Sequence, residues 1–119
     1  RGFAMIRRLQ IGPRMSQAVI HGDAVYLAGQ VAADPTGDVG SQTRQILDAI
    51  DTLLAEAGSD KTRILSATIY LADISTFSEM NSVWDAWVPA GHTPARATVE
   101  ARLAAPAFKV EIQIIAARV

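Results

Sequence analysis

The chain of 119 residues has no cysteine, which excludes disulfides, thiolate nucleophiles and cysteine-ligated metals. That absence fits a cytoplasmic protein, the location expected here, although many secreted proteins lack cysteine too. Histidine is scarce: His21 falls in a turn and His92 in a loop, with no carboxylate at ligand spacing, so no metal is expected. No apolar run approaches the ~20 residues of a membrane span, and no signal peptide is expected. Neither sign of charge dominates, since 11 Lys and Arg against 12 Asp and Glu leave a net −1. Nucleic-acid and membrane partners both ask for clustered basic side chains, so neither is expected. The few aromatics are not interleaved with basic residues, as a single-strand binder would require. No Gly-x-Ser-x-Gly elbow, Gly-x-x-x-x-Gly-Lys loop or Gly-x-Gly-x-x-Gly turn occurs, which disfavours hydride and phosphoryl transfer.

What is present reads as one globular domain, half hydrophobic and 19% charged, running from Met5 to Val119. Arg1 to Ala4 are expected to be vector-derived or disordered residues ahead of a natural start at Met5. Met5–Gln10 is a strand candidate broken by Gly12-Pro13. Ala18–Ile20 and Ala24–Val31, joined by His21-Gly22-Asp23, predict a hairpin. Gly29 leaves backbone open to a ligand's close approach, or marks a bulge or packing contact. Ser41 is the expected cap of a helix whose stripe Ile46, Leu47, Ile50, Leu53, Leu54 and Ala57 ends at Gly58. Ile64–Ala72 alternates as a strand. Thr76 and Glu79 have capping-box spacing before a second stripe of Phe77, Met80, Val83, Trp84, Trp87 and Val88. Asn81 lies on that helix, where a solvated residue or a bond to a neighbouring loop is the simpler reading.

Two amphipathic helices need an apolar sheet face, which predicts an α+β sandwich with both helices on one side. The opposite face is too apolar to lie against water, and self-association through it follows. The polar chemistry is concentrated in Thr93–Val119, where both halves alternate with strand period. Arg96, Thr98, Glu100 and Arg102 oppose Ala97, Val99, Ala101 and Leu103. Glu111 sits among Val110, Ile112, Ile114 and Ile115, where a carboxylate costs free energy unless compensated. An arginine there suits a bidentate grip on a carboxylate, and such a glutamate can position and activate water. An internal ion pair, or a surface arginine beside an edge-strand glutamate, explains the same spacing. Charged residues on strands are common.

Thr93-Pro94-Ala95-Arg96-Ala97-Thr98-Val99-Glu100-Ala101-Arg102-Leu103 followed by Lys109-Val110-Glu111-Ile112 resembles the C-terminal signature of the RidA/YjgF family of reactive-intermediate, or imine, deaminases. Ile11-Gly12-Pro13, Tyr26-Leu27-Ala28-Gly29-Gln30 and Asn81 match as well, so the likeness covers nearly the whole chain. It implies a chorismate-mutase-like sheet with two helices on one face. It also implies a homotrimer with a central β-barrel and active sites between subunits. The implied activity is cofactor-free hydrolysis of 2-imino acids, and of their enamine tautomers, to 2-oxo acids and ammonia. By position, Arg96 matches the arginine that binds the substrate carboxylate and Glu111 the acid that activates water. Ala28, Gly29, Thr98 and Asn81 are the further residues expected to meet the substrate.

The sequence departs from that pattern in three places. Thr98 replaces a cysteine, Ala28 stands where many members have serine, and Arg14-Met15 follow Gly12-Pro13 where many have a tyrosine. These changes suggest a divergent branch, with Arg14 a candidate second cation for the pocket. The alternative function is a non-catalytic trimeric module that binds a small carboxylate metabolite or a protein partner.

Overall fold

The computed structural model describes residues 5–118; the expectation for Arg1–Ala4, and the terminal Val119, lie outside them. The elements are β1 (Ile6–Ile11), β2 (Ser16–His21), β3 (Ala24–Leu27), α1 (Val39–Glu56), β4 (Ile64–Leu71), α2 (Phe77–Trp87), β5 (Ala95–Glu100) and β6 (Val110–Ala117), with short 3-10 turns at Lys61–Arg63 and Ile74–Thr76. The six strands form one sheet in the order β1-β2-β3-β6-β4-β5. Every neighbouring pair is antiparallel except β4 and β5, which are parallel.

Parallel strands need a crossover, and α2 supplies it between β4 and β5. Helix α1 makes a similar crossover from β3 to β4, over β6, so both helices lie on the same face. Beneath them β6 is central, and its Val110, Ile112, Ile114 and Ala116 are fully buried. They join Ala67, Ile69 and Leu71 of β4, Ile46, Leu47, Ile50 and Leu54 of α1, and Met80 and Trp84 of α2 in one core. The other face carries no helix and presents Tyr26, Ile115, Tyr70, Ala97 and Val99, of which Tyr26 and Val99 are each more than two-fifths exposed. No helix among the described residues is long and apolar enough to cross a membrane.

Local chemistry sets the helix ends, and two differ from expectation. Helix α1 is capped by Asp38, whose carboxylate accepts from Ser41 N–H at 2.8 Å, so the cap precedes Ser41 rather than being it. At its other end Gly58 adopts φ +80°. The Gly58 and Ser59 N–H groups reach back to Ala55 and Leu54 carbonyls, satisfying the last orphan acceptors. The Thr76–Glu79 capping box does not form, because Thr76 makes no side-chain cap bond. Glu79 instead accepts from Gly40 N–H at 3.0 Å and satisfies the first turn of α1. Strand β5 stops at Glu100, short of Leu103, since its partner β4 ends at Leu71 and offers one last acceptor to Ala101 N–H.

The loop from Ala101 to Lys109 is tied down by Gln42, which is fully buried at the start of α1. Its Nε2 lies 3.0–3.1 Å from the carbonyls of Pro35, Gly37 and Ala107, and its Oε1 accepts from Lys109 N–H at 3.0 Å. Gln42→Leu keeps the volume but strands those groups in the interior. Equilibrium denaturation is expected to show a loss of about 2–4 kcal/mol, because each orphaned group carries its own desolvation cost.

Candidate functional site

Arg96 and Glu111 reach the sheet surface by different routes. Arg96 lies in register with buried Ala67 on the edge strand β5, so its side chain points toward the helices. There its guanidinium carbon sits 5.2 Å from the Trp84 ring centroid and 5.8 Å from that of Phe77. Nη1 donates to Asn81 Oδ1 at 2.8 Å. Phe77, Asn81 and Trp84 are spaced four and three residues apart, which places them on one face of α2. A planar cation stacked on rings and fixed by one amide oxygen keeps further N–H donors in a defined fork. Thr98, two residues along, also faces the helices beside Ile69, and its buried hydroxyl has no hydrogen-bond partner among the described residues.

Glu111 lies in register with Tyr70 on the helix-free face. Its carboxylate rests against Gly29, where an added Cβ would overlap Oε2 and lie 3.0 Å from Cδ. Glycine at 29 is therefore a condition of this carboxylate position, a packing contact of the kind its smallness allows. The corner before it is rigid: Ala28 N–H donates to Gln17 O at 2.9 Å, while buried Gln30 donates to Ala28 O and to the Gln17 side chain. Gln30 and Ile112 also exchange backbone hydrogen bonds of 2.8 and 3.1 Å, which locks this corner to β6. A cleft of about 350 Å³ opens here, lined by Gly29, Tyr70, Glu111, Gln113 and the segment from Ala101 to Ala104.

The expected residues therefore fall into two groups. Arg96, Asn81 and Thr98 belong to the helix side of β5; Glu111, Gly29 and Ala28 belong to the β3–β6 corner. Strand β4 separates β5 from β6, so the successive C-terminal strands do not bring both charges to one seam within a chain. Among the described residues the one ion pair is Arg63–Asp60 at 3.5 Å, so no internal Arg96–Glu111 pair forms either. Met15 lines a second hollow of about 580 Å³ that shares Gly29 with the cleft, whereas Arg14 is exposed and lines neither. The helical stripe marks Phe77 and Trp84 as core, and strand alternation alone assigns Tyr70 and Gln113 no role. The available signal was an asparagine between two aromatics at helical spacing.

The model of the family described as endoribonuclease L-PSP matches residues 5–118. A RutC family protein of Haemophilus ducreyi is 48% identical over 113 residues, covering 95% of this chain and 97% of that one. The crystal structure of a YjgF family member from Neisseria meningitidis superposes with a TM-score of 0.96 at 47% identity, covering 99% of this chain and 98% of that one. A more distant bovine relative, named 2-iminobutanoate/2-iminopropanoate deaminase, is 37% identical over 112 residues, covering 89% of this chain and 80% of that one. With its whole described length matched by that family model and its sheet and helices superposing on a YjgF structure, the chain belongs to the RidA/YjgF family.

Proposed function

We propose that the protein hydrolyses 2-imino acids to 2-oxo acids and ammonia without a cofactor, in clefts shared between copies of the chain. The observation that carries this reading is the division of the two charges: an arginine preset on an edge strand, and a carboxylate held against Gly29 on the helix-free face. A second copy docking through that apolar face supplies the missing half, and a homotrimer closed into a barrel is the assembly proposed. The bovine relative named as a deaminase supports the same chemistry.

In the reaction, Arg96 of one copy holds the substrate carboxylate through bidentate hydrogen bonds, which fixes the imine carbon beside Glu111 of the next. Glu111 accepts a proton from water as its oxygen bonds to C2, giving a tetrahedral carbinolamine. The imine reacts in its protonated form; Glu111 returns the water proton to the nitrogen, takes the hydroxyl proton as the C–N bond breaks, and gives it to solvent, so that ammonia leaves and the C2 oxygen becomes the carbonyl. Atoms balance as imine plus water to oxo acid plus ammonia. Asn81, Phe77 and Trp84 are positioning residues for Arg96, and the backbone at Gly29 and Thr98 walls the cleft.

An amino-acid oxidase serves as imine source, and residual imine is followed with and without the protein. Arg96→Ala is expected to lose about 1.5–3 kcal/mol of carboxylate binding. Glu111→Gln is expected to keep that binding while kcat falls about 10²–10⁴-fold. Retained binding with no acceleration by the wild type would favour the non-catalytic module. Gly29→Ala displaces the flexible carboxylate at a stability cost of about 1–3 kcal/mol, yet is expected to lower kcat at least about tenfold. Sharing of the site is tested by co-refolding the Arg96→Ala and Glu111→Gln chains. Each alone is expected to be weak at imine concentrations below KM, and random rings with one intact seam per hybrid should recover about a quarter of wild-type activity. No recovery, or a stable monomer in sedimentation, would overturn the shared cleft.

A further inference from the structure

Arg102 is a charged group that the proposed hydrolysis does not use. It follows β5 by two residues, in the segment that turns toward β6, and lines the same cleft of about 350 Å³ as Glu111, Gly29, Tyr70 and Gln113. It is exposed, and it forms no ion pair of 4.0 Å or less with Glu111 or with Glu100, whose carboxylate accepts from Ile74 N–H instead. The cleft thus holds a carboxylate and a separate guanidinium within one chain.

We infer that Arg102 reads the side chain of the substrate and directs the enzyme toward 2-imino acids that carry a second carboxylate. The inference rests on the hydrolysis reading and adds a substrate class to it. Arg96 from the neighbouring copy, Arg102 and Glu111 sum to one positive charge. An imine reacts with water chiefly as its protonated iminium. With one carboxylate that ion is neutral and leaves the cleft charged; with two it carries one negative charge and neutralises it. Desolvated charge that is matched costs less than charge left over. Arg102 stands on the wall of the same cleft that bears Glu111. An arginine there offers the planar fork that a carboxylate takes up in two parallel bonds. The reaction class that supplies such a substrate is oxidation at the α-carbon of an acidic amino acid, or α,β-elimination from one that carries a leaving group on its β-carbon.

The test compares 2-iminosuccinate with 2-iminobutanoate, each generated in situ by an oxidase, in the wild type, Arg102→Met and Arg102→Lys. The readout is the ratio of kcat/KM for the two imines within each protein, which partial misfolding does not move. The ratio is expected to fall about tenfold in Arg102→Met, the scale of one charge-assisted contact. Arg102→Lys should fall less, since it keeps the charge and loses the fork. A ratio unmoved in Arg102→Met overturns this inference alone. No acceleration of either imine by the wild type overturns the hydrolysis reading and this inference with it.

Discussion

A sheet covered by helices on one side only is the constraint from which the rest follows. Both crossovers lie over the same face, so the core there is dry while Tyr26, Ile115 and Val99 look outward from the other. A helix-free apolar face of this kind is a reason to associate. It also decides where charge can be placed. A residue on the edge strand that points inward meets α2, whereas a residue on β6 that points outward meets whatever covers the open face. Arg96 and Glu111 take these two options, and only an assembly can unite them.

Each charge is held by a local device that costs little elsewhere. Arg96 lies against Trp84, which is 4% exposed, so the aromatic that fills the core also serves as the arginine's platform. Lysine at this position would keep the charge but lose the stacking plane and the fork. Glu111 needs no charged neighbour within its own chain; it needs space, and Gly29 supplies it by having no Cβ. The small residues in that corner are therefore steric permission for a carboxylate, while Gln17 and Gln30 keep the backbone from collapsing into the gap.

Periodicity made much of this legible. The stripe of α1 and its closing Gly58, the alternation of β4 and β6, and the two helices on one face could all be read because local spacing encodes them. Long-range pairings could not. Glu79 was legible as a capping residue, but of its own helix, since nothing in the spacing shows that Gly40 of α1 lies within reach. Alternation in β5 correctly grouped Arg96 with Thr98 and Glu100, yet it does not say which group faces the helices. The mixed row turned inward because Asn81 and two aromatics of α2 meet the arginine there. Strand order was hidden as well: β4 comes between β5 and β6, so consecutive strands are not neighbours.

The departures at Thr98 and Ala28 acquire different meanings once placed. The Thr98 hydroxyl is buried and unpartnered on the helix side, where a polar group carries a desolvation cost without return. A thiol, a weak hydrogen-bonding group, fits such a place more easily, so the threonine here is a cost in packing rather than a change of chemistry at the cleft. Ala28 is the opposite case. Its backbone N–H and carbonyl are both engaged by the glutamine pair, and its side chain stands next to the glycine that admits Glu111. Ala28 itself does not line the cleft, where Tyr70, Gln113 and Arg102 are the polar side chains that accompany Glu111. Under the proposed hydrolysis, discrimination among substrates at this wall falls to the loop after β5, the part of the cleft least constrained by the sheet.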